Sequence, residues 1–400
     1  MINGGVLSVP SLGNGGASST IGASSNAAAN LVLNGGTLQA SAARVLSNPV
    51  SLAANSTISG AANLNFTGNL TDTLSGNTTL TVSSTGLTAF GNVTLAPDAV
   101  ASTFTLAGTG NVTVNGAIGE GAATGTSLVK SNTGTLTLSG SNSYTGNSTL
   151  TGGTVIVDSN SSFGSGGTVV LNGSTLQSNG SRTIGNPTSL AANSTIAGSS
   201  NLTLGGTFTH AGTNLTLTVN NSATTTLSGD VALSNNATAH ILTVTGTGNT
   251  TIGGNISNGS TSVSGITKAG SGTLSLSGTN NFTGAVAVSN GTLALSGGAA
   301  LDDTVNLTLS ATGALTLNAS ETVGSLTGVA ANTITLNSNS TLTSNTAAST
   351  SFLGNITGSG GLTKAGAGTL TLDISDPLDP QADRREIYEV DRGLVSPADG

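Results

Sequence analysis

The sequence lacks several residue types on which compact domains commonly depend. Its 400 residues contain no cysteine and no tryptophan, and they contain only two tyrosines and seven phenylalanines. The absence of cysteine excludes a disulfide framework, and it suits passage through an oxidising compartment. Leucine, valine and isoleucine nevertheless recur steadily in short blocks, which argues against a disordered chain. These aliphatic side chains must therefore pack in a thin, regular core rather than in one large core.

Charge is equally scarce. Charged residues make up 6% of the chain, the net charge is −8 and the sequence pI is about 4.4. The basic residues before position 373 are far apart in sequence: Arg44, Lys130, Arg182, Lys268 and Lys364. Binding nucleic acid through its phosphates needs clustered lysine and arginine, so no nucleic-acid partner is predicted. No apolar run approaches the ~18 residues of a membrane-spanning helix.

What the sequence does contain is repetition. The octapeptide SLAANSTI occurs at Ser51–Ile58 and again, letter for letter, at Ser189–Ile196. Residues 31–58 and 169–196 are identical at 18 of 28 positions without a gap. We therefore predict a long repeat whose copies are offset by 138 in the numbering, with copies near 31–168 and 169–306 and a partial third copy up to 372.

Within this long repeat lies a finer pattern of short strands and turns. Segments such as TLTLSG and NLTLTVNN place Leu, Val or Ile at alternate positions, with Thr or Ser between them, and end in Gly, Asn or Ser. Alternation with period two is typical of β-strands, and nothing shows sustained helical periodicity. Sandwiches and barrels favour longer strands and larger side chains. The pattern therefore predicts an all-β chain folded as an elongated parallel β-helix, or β-solenoid, with coils of roughly 20 residues.

Three stretches also carry a more specific motif. They are GTLTLSGSNSYTGNSTLTGGTVIV within Leu128–Ser159, ITKAGSGTLSLSGTNNFTGAVAVSNGTLALSG at Ile266–Gly297, and GLTKAGAGTLTL at Gly361–Leu372. They resemble the passenger-associated β-strand repeats of bacterial autotransporters, in which a TKxGxGTLxLSGxNxYTG core leads into an xxGGTLxV strand. This resemblance implies a right-handed parallel β-helix that is exported through the outer membrane and found at the cell surface or outside the cell.

The sequence departs from that family at both ends. No signal peptide is visible, and the family's C-terminal export barrel, expected in a full-length protein, is absent. We therefore expect an internal piece of a larger passenger, or the product of a truncated gene. Residues 1–372 form the predicted β-helical segment. Residues 373–400 hold eight of the 16 acidic residues and three of the seven prolines, which predicts a short, irregular, charged tail or linker.

Candidate acid–base groups do not cluster in the sequence. Asp302 and Asp303 are the only adjacent pair before the tail, and neighbouring strand residues point to opposite faces, so we expect no shared site there. An enzyme of the polysaccharide-degrading kind would need such groups together, so no enzyme and no catalytic residue is predicted. The carboxylates before the tail are Asp72, Asp98, Glu120, Asp158, Asp230, Asp302, Asp303 and Glu321.

Other ligand-binding patterns are weak. His210 and His240 are well separated in sequence and could share a face of neighbouring coils, but no cysteine or carboxylate motif accompanies them, so no metal and no cofactor is predicted. Lys130, Lys268 and Lys364 occupy equivalent repeat positions. We expect them to be solubilising charges exposed at turns, with a ligand-binding row as the alternative.

Outward threonine pairs are the candidate surface-binding rows. Flat Thr rows on a β-solenoid can order water or lie against ice or sugar, although strand propensity alone also explains threonine on a solvent face. A strict coil period would favour binding, and the intervals in the sequence are irregular. The pairs are Thr135 and Thr137, Thr216 and Thr218, and Thr369 and Thr371.

The sequence thus predicts a structural and adhesive β-helical rod at the cell surface. Its expected partners are a host or matrix surface or glycans, together with end-to-end self-association through uncapped strand edges. The alternative is a carbohydrate- or ice-binding β-solenoid that uses outward Thr and Asn rows.

Overall fold

The structure, a computed structural model, describes residues 1–9, 31–96, 100–260 and 262–372. In these ranges the chain contains 45 short β-strands and no helix, which confirms the predicted all-β class. The predicted irregular tail, residues 373–400, lies outside the described residues. The chain divides into two compact units, Met1–Gly205 and Gly206–Gly400.

Unit 1 contains the first 24 strands, all of them short. They are β1 Val6–Val9, β2 Leu31–Asn34, β3 Thr37–Ala40, β4 Arg44–Leu46, β5 Val50–Ala54, β6 Ser56–Ser59, β7 Leu64–Phe66, β8 Leu70–Asp72, β9 Thr78–Val82, β10 Thr88–Phe90, β11 Val93–Leu95, β12 Thr103–Gly108, β13 Val112–Val114, β14 Ile118–Glu120, β15 Ser127–Lys130, β16 Thr135–Leu138, β17 Ser148–Leu150, β18 Thr154–Val157, β19 Val169–Asn172, β20 Thr175–Ser178, β21 Arg182–Ile184, β22 Thr188–Ala192, β23 Ser194–Gly198 and β24 Leu202–Leu204.

These strands stack in parallel as the sides of successive coils. Sheet A of unit 1 runs through β1, β3, β6, β9, β12, β15, β17, β19 and β22; sheet B runs through β4, β7, β10, β13, β16, β18, β20 and β23; and sheet C runs through β2, β5, β8, β11 and β14. Strand β21 pairs in parallel with β24. Coil length varies along the stack, because Val170 pairs with Ser189 whereas Thr79 pairs with Thr105. The predicted parallel β-helix is therefore confirmed in unit 1.

The core of unit 1 consists of aliphatic columns. In sheet B, Leu136 pairs with Val112 on one side and with Val155 on the other, and all three side chains are buried. The next residue, Thr137, is only partly buried, because successive strand residues point to opposite sides. Phe66 and Phe90 stack at a ring-centroid distance of 5.2 Å and widen the core locally. Each coil thus buries a few side chains against its neighbours, at about 25 cal/mol per Å² of apolar surface.

The repeated octapeptide lies on different sheets of unit 1. Its first copy, Ser51–Ile58, covers parts of β5 in sheet C and β6 in sheet A. Its second copy, Ser189–Ile196, covers parts of β22 in sheet A and β23 in sheet B. The offset between the two copies therefore shifts the motif by one sheet, because it does not correspond to a whole number of coils.

Both copies form the same bulged corner. The pairing register shifts so that Asn34 is opposite Ala54 in the first copy and Asn172 is opposite Ala192 in the second. The serine two residues further on then bonds across coils: Ser194 Oγ accepts the N–H of the glycine after Asn172 at 3.0 Å. The bulge and the Ser side chain turn the chain from one sheet into the next.

Unit 2 contains the remaining 21 strands. They are β25 Phe208–His210, β26 Thr216–Asn221, β27 Thr225–Leu227, β28 Val231–Ala232, β29 Ile241–Thr245, β30 Thr250–Ile252, β31 Ile256–Ser257, β32 Gly265–Lys268, β33 Thr273–Leu276, β34 Val286–Val288, β35 Thr292–Leu295, β36 Asn306–Leu309, β37 Ala314–Leu317, β38 Glu321–Val323, β39 Ser325–Thr327, β40 Thr333–Leu336, β41 Thr341–Asn345, β42 Thr350–Phe352, β43 Asn355–Gly358, β44 Gly361–Ala365 and β45 Leu370–Leu372.

Unit 2 is a second stack of the same kind. Its sheet D runs through β26, β29, β32, β34, β36 and β39; its sheet E runs through β27, β30, β33, β35, β37, β40 and β43; and smaller ladders join β25, β28 and β31, then β38, β41 and β44, then β42 and β45. Leu293, Leu315 and Ile334 form one inward column of sheet E, and all three are buried. The predicted parallel β-helix is therefore also confirmed in unit 2.

Candidate functional site: lysine and asparagine clamps between coils

The lysine of the first repeat motif lies inside the stack. Lys130 ends β15 and its side chain is fully buried. Its Nζ donates to the carbonyl oxygens of Asn132 and Gly152, both at 2.6 Å. Asn132 follows Lys130 on the same coil, whereas Gly152 lies just beyond Leu150, which pairs with Lys130 from the next coil. The ammonium group therefore joins two successive coils of unit 1 through charge-assisted hydrogen bonds.

The second repeat places its lysine in the same way. Lys268 ends β32 and is buried. Its Nζ donates to the carbonyl oxygens of Ala269 at 2.8 Å, Gly270 at 2.7 Å and Asn290 at 3.1 Å. Asn290 lies just beyond Val288, which pairs with Lys268 from the next coil. All three hydrogen atoms of the ammonium group thus find backbone acceptors.

The third repeat completes the set. Lys364, in β44, is also buried. Its Nζ donates to the carbonyl oxygens of Thr346 at 3.0 Å and Gly366 at 3.2 Å, and to that of Ala365. Thr346 belongs to the preceding coil, because Lys364 pairs with Ser344. We call each of these lysines, with its carbonyl partners, a lysine clamp.

The expectation that these lysines are exposed turn charges is therefore wrong. The four-carbon stem packs within the aliphatic core, and the turn that follows each lysine directs carbonyl oxygens inward to meet the ammonium group. Burial lowers the pKa of Lys130 and of Lys268 to about 8, and it also lowers the pKa of Lys364. Since each Nζ is bonded to backbone, a row of ligand-binding ammonium groups is not formed.

Two glycines of the motif make room for the clamps. Gly153 has a φ of +55°, and a Cβ there would lie 2.7 Å from the Nζ of Lys130. Gly291 has a φ of +68°, and a Cβ there would lie 2.8 Å from the Nζ of Lys268. Both positions therefore need glycine for backbone conformation and for space. This explains why Gly153 stands in the TGGTV segment of the first repeat and Gly291 in the SNGTL segment of the second.

A buried asparagine of the motif forms a second clamp. Asn142 Oδ1 accepts the N–H of Ile118 at 2.7 Å on the preceding coil, and its Nδ2 donates to the carbonyl oxygen of Ser162 on the next coil. Asn280, at the equivalent position of the second repeat, accepts from Ile256 at 2.7 Å and donates to Ala300 at 2.7 Å. We call these the asparagine clamps; each satisfies one backbone donor and one backbone acceptor across three coils.

The aromatic residue of the motif fills the space beside the asparagine. Tyr144 and its equivalent Phe282 are both fully buried. The hydroxyl of Tyr144 hydrogen-bonds the Ser148 hydroxyl at 2.7 Å, and burial raises the pKa of Tyr144. The clamps and these rings were not identified from the sequence, although the recurrence of Lys, Asn and Tyr or Phe at fixed motif positions was the signal that marked them.

The predicted Thr pairs lie in or beside short strands of the two units. Thr135 and Thr137 are in β16 of sheet B, Thr216 and Thr218 are in β26 of sheet D, and Thr369 and Thr371 lie just before and within β45. All six are partly buried, as outward strand residues are. The first pair lies in unit 1, and the other two pairs lie in unit 2.

Two of the pairs are nevertheless part of longer threonine columns. In sheet B the column that begins at Thr135 continues, one residue per coil, through Thr154, Thr175 and Thr195. In sheet D, Thr216 is followed by Thr243 and Thr267. The spacing of these columns is that of paired strands, ~4.8 Å. The threonines of these columns therefore recur once per coil in the structure, although their intervals in the sequence are irregular.

One carboxylate approaches the Asp302–Asp303 turn. Glu321 is buried in β38, and its Oε2 accepts the N–H of Ala300 at 2.8 Å. Burial, with a smaller effect from the charge of Asp303, raises the pKa of Glu321 to about 7. Asp302 instead caps its own turn by accepting the N–H of Thr304 at 3.0 Å. Asp98 lies outside the described residues.

The two histidines do share neighbouring coils. The rings of His210 and His240 lie 5.1 Å apart, centroid to centroid, with an interplanar angle of 80°. In the described ranges no group of three or more His, Cys, Asp or Glu residues is arranged to hold a metal ion. Nor do those ranges contain an apolar helix of membrane-spanning length.

The clamp residues lie in segments that match a known protein family. The family described as passenger-associated-transport-repeat matches residues 128–157, 266–295 and 362–375. The three matches contain Lys130, Lys268 and Lys364, and the first two also contain Asn142 and Asn280. No curated protein and no solved structure matches the chain. The chain therefore carries three passenger-associated-transport repeats on stacked parallel coils, and these findings support an autotransporter passenger domain.

Proposed function

We propose that this chain is a structural and adhesive scaffold at the bacterial cell surface, with no catalytic activity of its own. The repeats support export as an autotransporter passenger. The outward strand positions support adhesion through neutral hydroxyl and amide groups, as in the column from Thr135 to Thr195. Such a surface offers many weak polar contacts to a host matrix or to glycans rather than one deep pocket.

The observation that carries this proposal is the burial of three lysines, one glutamate and two histidines. The three clamp lysines are bonded to backbone carbonyl groups inside the stack. Glu321 and both histidines are likewise buried. General acid–base catalysis requires such groups within hydrogen-bonding reach of a substrate. A scaffold in which they stabilise coils is the function that this placement favours.

The clamps also suit a chain that folds as it emerges from a membrane. Each clamp bonds a coil to the one before or after it, so a newly exported coil finds fixed acceptors on the coil already folded. In stacked repeats, stability comes from nearest-neighbour interfaces, and folding can propagate from one end. We propose that the passenger-associated-transport repeats favour export in this way.

Surface display tests the proposal. The chain is placed between a signal peptide and an outer-membrane barrel, and exposure on intact cells is measured with an antibody and by external protease. Adhesion to immobilised matrix proteins and glycans should exceed that of the same fusion without residues 31–372. The purified chain should release no reducing ends from polysaccharides. Reducing-end release, or cells that adhere no better than the control, would contradict the scaffold proposal.

A second candidate function, binding to ice or to an ordered carbohydrate surface, is favoured by the threonine columns. The column Thr135, Thr154, Thr175 and Thr195 repeats its hydroxyl and methyl groups once per coil. If it binds, replacing Thr154 and Thr175 by Lys should abolish thermal hysteresis or retention on insoluble polysaccharide. Thr149→Lys, on a different sheet of unit 1, is the matched control. No hysteresis and no retention by the unsubstituted chain would reject this function.

A further inference from the structure

The histidine pair of unit 2 has an unusual hydrogen-bonding arrangement. His210 ends β25, and His240 immediately precedes β29. Both side chains are fully buried. Between them along the chain lies the segment 233–240, which we call the bend; it joins β28 to β29. The two imidazoles therefore hold the bend against the end of β25.

The contacts of His210 fix its protonation state. Leu215 donates its N–H to His210 Nε2 at 3.0 Å, so Nε2 must accept. The other ring nitrogen, Nδ1, lies 3.1 Å from the carbonyl oxygen of Leu233 and must donate. Only the neutral tautomer with its hydrogen on Nδ1 satisfies both contacts. A second proton, on Nε2, would face the N–H of Leu215 and break the bond that closes the turn after β25.

The ring of His240 packs edge to face against that of His210. Both ring nitrogens are buried without a hydrogen bond. Its backbone is well held: its N–H donates to Ser264 Oγ at 3.1 Å, and its carbonyl accepts from Gly265 at 2.9 Å. The centroid of its ring lies 5.1 Å from that of His210.

The charged groups on the neighbouring coils would not offset a positive charge on His210, because they are bonded to backbone groups. Asp230, just before β28, uses its Oδ1 to accept the N–H of Asn255 at 3.0 Å. Lys268, on the following coil, donates to backbone carbonyls, including that of Asn290 at 3.1 Å. Burial lowers the pKa of His210, and the nearby His240 lowers it further.

We propose that His210, packed against His240, is an acid-sensitive latch, which holds the bend closed while its ring is neutral and releases the bend when that ring is protonated. The native state disfavours the imidazolium form of His210, whereas the opened bend exposes this ring to water. Closure is therefore complete above the ordinary histidine value of about 6.5 and is lost as the pH falls below it. The opening constant should rise by up to about tenfold per pH unit for each proton taken up.

Nuclear magnetic resonance of the untagged full chain tests the latch directly, because His210 and His240 are its only histidines. The imidazole signal of His210 should titrate below the ordinary range. Hydrogen exchange, corrected for the intrinsic effect of pH, should be faster in the bend at pH 5.5 than at pH 7.5. The strands β34 and β36, further along the stack, should not change. Titration of His210 at the ordinary value, with unchanged exchange in the bend, would overturn the proposal.

A double variant provides the matched control. In His210→Gln, the amide can accept from Leu215 and donate to Leu233 without titrating, and His240→Phe keeps an aromatic ring where no nitrogen has a partner. The double variant should show no acid response in the bend. A response of unchanged size would also overturn the latch. If the variant fails to fold, the titration and exchange of the unsubstituted chain still decide the question.

Discussion

The asparagine clamp of the second repeat offers a sharp quantitative test. Asn280 is 5% exposed, and its side chain accepts the N–H of Ile256 and donates to the carbonyl of Ala300, both at 2.7 Å. Asn280→Ala removes both bonds while leaving the two backbone groups buried in the stack. The variant is therefore expected to be much less stable than an ordinary surface substitution.

The size of the effect follows from the two groups left without partners. A buried donor or acceptor that loses its hydrogen bond costs about 1–3 kcal/mol, so the loss at Ile256 and Ala300 together should be about 2–6 kcal/mol. The matched control is Asn249→Ala. The side chain of Asn249 is exposed and accepts the N–H of Thr273 at 3.0 Å, so water can replace it and about 0.5–1.5 kcal/mol is expected.

Urea unfolding followed by circular dichroism measures both variants, with hydrogen exchange to locate the effect. Exchange matters because coils in a stack can open locally without global unfolding. Asn280→Ala should increase exchange at Ile256 and Ala300 before it does so in distant coils. Equal losses in Asn280→Ala and Asn249→Ala would refute the clamp reasoning, since they would show that burial across three coils adds nothing.

Three further predictions concern single side chains. Burial lowers the pKa of Lys130 to about 8 from its ordinary value of 10.5, so unfolding between these pH values takes up a proton and stability should rise with pH. Burial lowers the pKa of Lys268 equally, so Lys130→Met should reduce this rise in urea titrations without abolishing it. Gly284→Ala would place a Cβ 2.2 Å from the carbonyl oxygen of Ser264, and thermal melts should show a loss of several kcal/mol, about the upper range for single substitutions. The pKa of Glu321 is raised to about 7, so its contribution to stability should be lost as the pH rises through 7; Glu321→Gln should be the more stable form at pH 8, and equal melting temperatures there would contradict this.

The strands themselves could be predicted because their signal is local. Leu136 and Leu138 are buried and Thr137 is not, as the alternation of apolar and polar residues indicates. The same local logic predicted parallel coils, since short strands rich in aliphatic residues and separated by Gly and Asn turns can stack only on their neighbours.

The clamps could not be predicted, because their partners are set by coil length. The position of Lys130 depends on the carbonyl of Gly152, 22 residues further on. The local sequence does not indicate that these two residues are in contact. A charged residue is exposed far more often than buried, so the prediction for the lysines followed the usual case and was wrong.

Turns of variable length account for the remaining differences. The threonines of sheet B recur at unequal sequence intervals, yet Thr135, Thr154 and Thr175 fall in one column because the turns between them absorb the extra residues. His210 and His240 meet for the same reason. Their ring contact depends on the path of segment 233–240, which periodicity does not specify.

The displacement of SLAANSTI from sheets C and A to sheets A and B has a consequence for how such a chain can grow. The same strand–turn–strand segment can therefore form different sides of the β-helix, as the two copies do here. An internal duplication therefore need not match complete revolutions in order to remain foldable. The two copies of the motif consequently face different sides of the β-helix. One antibody or ligand could bind both copies only if it extended from one side to another.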